Sequence, residues 1–451
     1  MENKTVRFID LFAGLGGIRL GFEKAFENLG IKTECVMTSE IKPHAISCLE
    51  KNFTHDYFVG DIFKVENSAI PDFDFLLGGF PCQPFSAGGK RQGFIDTRGT
   101  LFFEIERILE EKKPYGFILE NVEGLVKHDS EFKTDEIGRT LKTILNVLEN
   151  KLKYKVSWKV FDSLDFGIPQ SRKRIFIVGT KDSKIDLGNH VPVYKNLGSI
   201  LERGLETIDS PLIDKLLSHF DIDNLVGKSI KDKRGGDSNI HSWDIEIKGE
   251  VNKTQHIILN KLFKERRKKH WAEKIGIDWM DGMALTLEQI NSFIFLPENE
   301  LFFLLEDLTK KGYLRFEHPK KLVKEETSNG FKTYREYDES KPKGYNIVTG
   351  KLSFEINKIL DPNDIAPTLV ATDVSRLAVP DGKGLRRLSI REGLRLFGYP
   401  EWYKIDCKID DAFDLLGNTV AVPVVEFVSN KLGDKFLHDT KKGKTELVIQ
   451  D

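Results

Sequence analysis

The chain has 451 residues, with 68 Lys and Arg against 70 Asp and Glu and 40% hydrophobic residues. That length exceeds one ordinary domain and predicts two domains, or one large core carrying a big insertion, and the composition excludes a disordered chain. A net charge of -2 excludes a whole-protein electrostatic case for nucleic-acid binding, so any such surface has to be local.

In chain order, short apolar runs alternate with amphipathic stretches: VRFIDLF, IRLGFEKAFENLG, ECVMTS, PHAISCLEKNF, FDFLLGG, TLFFEIERILEEKK, YGFILENV and EIGRTLKTILNVLENKL, followed by YKVSWKVFDS and RIFIVGT. Strand and helix periods in this order predict an α/β fold, a doubly wound parallel sheet covered by helices. In FIDLFAGLGGIRLGFE (8 to 23) a strand ends and Gly14, Gly16 and Gly17 turn into a helix. Such a turn lets a ligand approach backbone N–H groups at the helix start. The dinucleotide fingerprint would want a glycine where Arg19 stands. A plain strand-to-helix turn is the competing explanation.

Carboxylates follow at later strand ends: Glu40 after ECVMTS and Asp61, next to Ile62, in VGDIF. They suit ribose hydroxyls and an adenine amino group, although each alone is more often a surface acid. No GK[ST] phosphate loop is present, which favours an adenosyl ligand without a polyphosphate. Cys82 follows FDFLLGG between Pro81 and Pro84. The prolines restrict the backbone and aim the side chain, whereas a lone cysteine is ordinarily a small buried hydrophobe. Glu120 ends the next strand in FILENVEGL. Gln170, Arg172 and Arg174 alternate into the strand of QSRKRIFIVG, which predicts one shared face for the three.

Near residue 182 the alternation stops, and the next two hundred residues mix helix-like pieces with polar loops rich in Gly, Lys and Asp. Residues 1–182, completed by 401–451, are expected to form one domain and 183–400 an inserted second. Local basic stretches lie at 86 to 93, 228 to 236 and 261 to 274, the last containing Arg266 and Arg267; a solvated helix face is the ordinary explanation for it. The four cysteines, Cys35, Cys48, Cys82 and Cys407, form no CxxC pair and there is no histidine cluster at ligand spacing, so neither a disulfide framework nor a metal site is expected. No run of 18 apolar residues and no export-type leader occur, and a cytoplasmic protein without membrane contact is expected.

Taken in series, FAGLGG, Glu40, GDI (60 to 62), GFPCQPFS, ENV (120 to 122), QSRKR, RRLSIREGLRLFGYP and GNTVAVP resemble the DNA cytosine-5 methyltransferases of prokaryotic restriction-modification systems. The resemblance covers residues 5 to 182 and about 384 to 430. It implies a Rossmann-like domain that binds S-adenosylmethionine, with 183–400 as a smaller target recognition domain. Cys82 would then be the nucleophile for cytosine C6 and Glu120 would hold N3 and the exocyclic amine. Arg172 would hold the base carbonyl, with Arg174 supporting the same site. Phe12, Gly14, Gly16, Glu40, Asp61, Ile62, Pro81, Leu101 and Asn418 would line the cofactor site.

For duplex DNA, the resemblance implies base flipping and a closing loop over 86 to 100 with Ser86, Lys90 and Arg91 toward phosphates. Gln83, Gln170, Arg266 and Arg267 join the expected DNA contacts, and PTLVATD (367 to 373) resembles the signature near the end of recognition domains. A cognate restriction endonuclease would be a functional partner of a monomeric enzyme. Two other readings compete. A transfer-RNA methyltransferase of the same fold is opposed by the large insertion and the lack of a CFT-like signature. A non-catalytic DNA-binding protein would be expected to have lost Cys82, Glu120 or the arginines, and all are present.

Overall fold

The computed structural model describes residues 5–441 apart from 56, 81–100, 133, 189, 233–237, 279–281, 328–329, 350–353 and 371–373. The chain divides into two compact units. Met1–Glu202, Asp361–Ser375 and Leu388–Asp451 form the first, and Arg203–Leu360 with Arg376–Arg387 the second. The boundaries expected at 182/183 and 400/401 therefore both fall inside the first unit. The linker-like composition after 182 belongs to surface segments that still pack on the first unit.

The first unit is built in the order β1 (Thr5–Leu11), α1 (Gly17–Asn28), β2 (Lys32–Ser39), α2 (Pro43–Asn52), β3 (Phe58–Val59), β4 (Phe75–Gly79), α3 (Leu101–Lys112), β5 (Gly116–Val122), α4 (Arg139–Asn146), β6 (Lys155–Asp162) and β7 (Lys173–Thr180). Its seven-stranded sheet runs β3-β2-β1-β4-β5-β7-β6. Pairs from β3 to β5 are parallel, and β7 is antiparallel to both β5 and β6. The wholly parallel sheet expected from the alternation is thus corrected at one strand. Only residues 163–172 join β6 to β7, too few for a crossover helix, so the chain turns back as an antiparallel pair.

The central strands read as near-continuous apolar runs because helices cover both faces. Alternation along β1 sends Ile9 and Leu11 to one core with Leu76, Ile105, Leu109, Leu119 and Ile144. Val6 and Phe8 go to the other, with Phe22, Phe26, Phe75 and Val178.

The second unit begins with α5 (Pro211–His219), α6 (Ile222–Leu225), β8 (Ser229–Ile230) and β9 (Asn239–Ile240), then α7 (Lys253–Glu265), α8 (Lys269–Ile275), α9 (Leu287–Ile294) and α10 (Glu298–Lys310). It continues through β10 (Leu314–Glu317), β11 (Lys320–Thr327), β12 (Gly330–Tyr337), β13 (Gly344–Ile347), β14 (Lys358–Ile359), β15 (Leu377–Asp381) and β16 (Gly384–Arg387). One core gathers Trp243, Leu259, Leu262, Leu301, Leu305 and Tyr313, and another lies under the small sheet β16-β15-β14-β8-β9. Asn252 and Thr286 start α7 and α9 with capping boxes, each completed by a glutamine at the third helical position.

The chain closes with α11 (Ile390–Arg395), α12 (Ile409–Gly417) and α13 (Val422–Lys441). The stretch 409–441 has the length and composition of a membrane span, yet 67% of its most apolar window is buried. Val424, Val425, Val428, Leu432 and Phe436 supply that apolar character to the core shared with α1. Gly21 permits the close approach of α1 and α13, since a Cβ there would meet the backbone N of Glu426 at 2.8 Å.

Candidate active site

Of the described candidate residues, Phe12, Gly14, Glu40, Asp61 and Glu120 lie at the C-terminal ends of the parallel strands, where open α/β sheets leave a crevice. At the end of β1, Phe12 takes φ 57° and Gly16 φ 68°, left-handed values that turn the strand into α1 within a few residues. Glu40, at the end of β2, holds this turn: Oε2 accepts from Gly14 N at 2.7 Å, and Oε1 accepts from Ile41 N and Lys42 N at 2.8 Å each. A carboxylate offers about four acceptor positions, so one remains for a ligand hydroxyl. Asp61 Oδ1 accepts from Phe63 N at 3.2 Å, while Ile62 is buried in the core beneath. Phe12 and Leu101 are half-buried against the same core, and Asn418 is exposed at the end of α12 with Nδ2 donating to Asp414 O.

These groups fit an adenosyl ligand. A Cβ built on Gly14 would meet none of the described residues within 4 Å, so the turn leaves room on that side. Carboxylates at the ends of β2 and β3 are matched to hydroxyl and amino donors. Arg19, at the position where a dinucleotide fold would want glycine, is buried, pairs with Glu23 at 2.8 Å and stacks over Phe53 at 4.3 Å. Asp10 is 1% exposed, and among the described residues neither carboxylate oxygen has a hydrogen-bond partner. Burial pushes its carboxyl up to about 7 against the opposing pull of Arg19.

Beyond β4 the chain enters 81–100, so Pro81, Cys82, Gln83, Ser86, Lys90 and Arg91 lie outside the described residues. The root of that segment is anchored. Asn121 Nδ2 donates to Phe80 O at 2.9 Å, and Asn121 Oδ1 accepts from Val122 N. Sequence reasoning singles out ENV for its glutamate and misses this asparagine, whose signal is its place in the same triplet.

Glu120 and Arg174 meet across β5 and β7, with Arg174 Nε 3.0 Å from Glu120 Oε1. Burial raises the Glu120 carboxyl toward the protonated form, while Arg174 and then Arg172 pull it down. Gly79 leaves room beside it, since a Cβ there would stand 3.3 Å from Glu120 Oε2.

Strand alternation does not govern all three QSRKR side chains. Arg174 lies in β7, whereas Gln170 and Arg172 lie in the link before it. Arg172 is 3% exposed; Nη1 donates to Leu369 O at 2.9 Å and Nη2 to Gly417 O at 2.8 Å. Burial, then the charge of Arg174, lowers its pKa to about 9. Gln170 is fully buried; Nε2 donates to Leu396 O at 2.9 Å and Oε1 accepts from Leu369 N at 2.7 Å. The expected DNA contact at Gln170 is therefore corrected: both ends of its amide are engaged inside the fold.

In the second unit Arg266 is likewise corrected. It is 3% exposed, donates from Nη1 to Asn346 Oδ1 at 2.8 Å and packs over Phe263. Arg267 is half-buried with its guanidinium 4.5 Å from the same ring. Among the described residues no group of three or more His, Cys, Asp or Glu could hold a metal ion.

The C-5 cytosine-specific DNA methylase family model matches residues 6–434. The chain is 57% identical over 429 residues to the Type II methyltransferase M.NlaIV of Neisseria lactamica, covering 95% of this chain and 99% of that one. It is 40% identical over 451 residues to M.BanI of Aneurinibacillus aneurinilyticus, covering 95% of each. The solved S. pombe Dnmt2 methyltransferase shares the fold at 15% identity, with a TM-score of 0.50 and coverage of 96% of this chain and 99% of that one. Family and full-length relatives favour DNA over RNA as the substrate. The chain belongs to the C-5 cytosine-specific DNA methylases and is a DNA cytosine-5 methyltransferase with S-adenosylmethionine as its methyl donor.

Proposed function

We propose that the flipped target cytosine is held by Glu120 and Arg174 while Cys82 attacks it, and that the second unit reads the surrounding sequence. The observation that carries this reading is the 3.0 Å Arg174–Glu120 pair beside the anchored root of the Cys82 segment. The Cys82 thiolate forms a bond to C6, the C5–C6 π pair shifts to C4–C5, and the C4–N3 π pair moves onto N3, leaving an enamine across C4–C5. Glu120 in its protonated form donates to N3, and the Arg174 guanidinium offsets charge at the base carbonyl. C5, now electron-rich, would attack the electrophilic methyl group that S-adenosylmethionine supplies, the breaking C–S pair staying on sulfur so that S-adenosylhomocysteine leaves as a neutral thioether. A base then removes the C5 proton, and the returning pair expels the Cys82 thiolate. Arg174 is assigned the base carbonyl in place of Arg172 because Arg174 pairs with Glu120 while Arg172 donates to two backbone carbonyls.

For the cofactor, Glu40 and Asp61 would take the ribose hydroxyls and the adenine amine, with Phe12 and the Gly14 turn against the adenosyl and methionine parts. Asn418 and Leu101 would close the same side. The enzyme acts as a monomer on cytoplasmic duplex DNA and protects it from a cognate endonuclease. Supporting that role, the 57% identical relative is named a Type II methyltransferase.

The test is duplex DNA with 5-fluorocytosine in place of cytosine, incubated with S-adenosylmethionine. Fluorine cannot leave as the proton does, so a covalent protein–DNA complex accumulates. Cys82→Ala that trapped DNA as well as the native enzyme would refute the mechanism. Bisulfite sequencing of plasmid from expressing cells reads out the target sequence, and an unmethylated plasmid would refute the activity in cells.

A further inference from the structure

Residues 361–375 are a stretch of the first unit bounded on both sides in sequence by segments of the second, 203–360 and 376–387. Two of the four covalent links between the units are therefore its ends. This stretch is stitched to the link before β7 by four hydrogen bonds in four successive residues. Ala366 N donates to Pro169 O at 2.8 Å, Thr368 Oγ1 to Ser171 O at 2.5 Å, Leu369 N to Gln170 Oε1 at 2.7 Å, and Arg172 Nη1 to Leu369 O at 2.9 Å. The same two side chains reach further: Gln170 Nε2 to Leu396 O after α11, and Arg172 Nη2 to Gly417 O at the end of α12, next to Asn418. Arg172 is fixed in turn, since its N donates to Asp162 Oδ1 at 2.9 Å and its guanidinium lies 5.2 Å from the Phe397 ring centroid. Two residues on, Arg174 meets Glu120.

We propose that Gln170 and Arg172 are positioning residues that lock the 366–369 stretch to the strand carrying Arg174, so that methylation depends on correct engagement of the second unit with its DNA sequence. The proposal rests on the Glu120–Arg174 reading of the base site. The chemistry suits the task. A buried guanidinium with donors on two sides can bridge carbonyls from separate segments, and a lysine can reach only one at a time. A primary amide that both donates and accepts fixes the register of Leu369, because a one-residue slip would leave buried polar groups unpaired.

The experiment compares Gln170→Ala, Arg172→Lys and the double variant on phage λ DNA with radiolabelled S-adenosylmethionine, and bisulfite sequencing of the product scores methylation at the native motif and at sites one base away. A shared positioning role predicts a kcat loss of about 100-fold in each single variant, a raised ratio of one-base-off to motif methylation, S-adenosylmethionine affinity within about twofold of native, and a double variant no worse than the worse single. Native turnover and site preference in Gln170→Ala, or losses that multiply in the double variant, would overturn it. Should the buried substitutions unfold the protein, Thr368→Val, which removes only the exposed hydroxyl on Ser171 O, is expected to shift site preference in the same direction, and no shift overturns the proposal. Arg174→Ala separates the two readings. If it still traps 5-fluorocytosine DNA, the base-site assignment fails, while the Gln170 and Arg172 outcomes are read independently from site preference.

Discussion

Arg174 Nε lies 3.0 Å from Glu120 Oε1, although in the β5–β7 register the backbone partner of Arg174 is Val122 and that of Glu120 is Phe176. The guanidinium therefore reaches diagonally, two residues along the neighbouring strand, a spacing within range of long side chains. One strand end thus carries an acid that burial pushes toward its protonated form and a cation beside it, groups that can donate to a ring nitrogen and to a carbonyl oxygen.

Glu120→Gln keeps the shape and removes the proton that, on the proposed mechanism, N3 would receive. Turnover should fall by about 100- to 1,000-fold, in the range for loss of one preorganised transition-state donor. Because burial raises the Glu120 carboxyl, native turnover should decline as pH rises through its pKa. The variant should lack that limb in a kcat against pH profile.

Asp10→Asn should flatten the dependence of stability on pH. The folded-state value of about 7 stands above the ordinary 3.8, so the native state binds this proton more tightly than the unfolded chain. The resulting stabilisation is complete below about 4 and is lost as pH rises through about 7, up to roughly 4 kcal/mol in all. Urea melts at pH 5 and pH 8 should show about 2–3 kcal/mol of this in the native protein and a smaller difference in the variant.

Glu40→Ala should weaken S-adenosylmethionine binding through two losses, the remaining acceptor position and the three backbone N–H groups that the carboxylate holds. A charged acceptor for one N–H contributes about 1.5–3 kcal/mol, so calorimetry should find affinity reduced by at least tenfold. Affinity equal to native would place the cofactor elsewhere.

Arg266→Ala should lower the melting temperature while leaving the salt dependence of DNA binding unchanged. Its guanidinium is inside the second unit, bonded to Asn346 and packed against Phe263, where a Cβ on Gly282 would touch it at 2.6 Å. Removing it leaves Asn346 short of a donor, a cost of about 1–3 kcal/mol. A phosphate contact would instead reduce the salt slope by about one.

Local chemistry makes much of this protein legible in its sequence. The alternation of apolar runs yields the α/β sheet, because strands covered on both faces must be apolar throughout. FAGLGG, Glu40, GDI and ENV each sit where a strand ends, because glycine and carboxylate residues interrupt such runs there, and QSRKR leads into β7 opposite the end of β5. The tertiary structure decided what each charged or amide group does once there. Gln170, Arg172 and Arg174 read as equivalent by their spacing, yet Arg174 meets Glu120 while the other two hold backbone from Leu369, Leu396 and Gly417. Those partners are 197 to 245 residues away in the chain. Arg266, expected to face DNA, is interior for the same reason. The burial and hydrogen-bond partners of a side chain are set by segments that arrive from elsewhere, and periodicity within a short window carries no information about them.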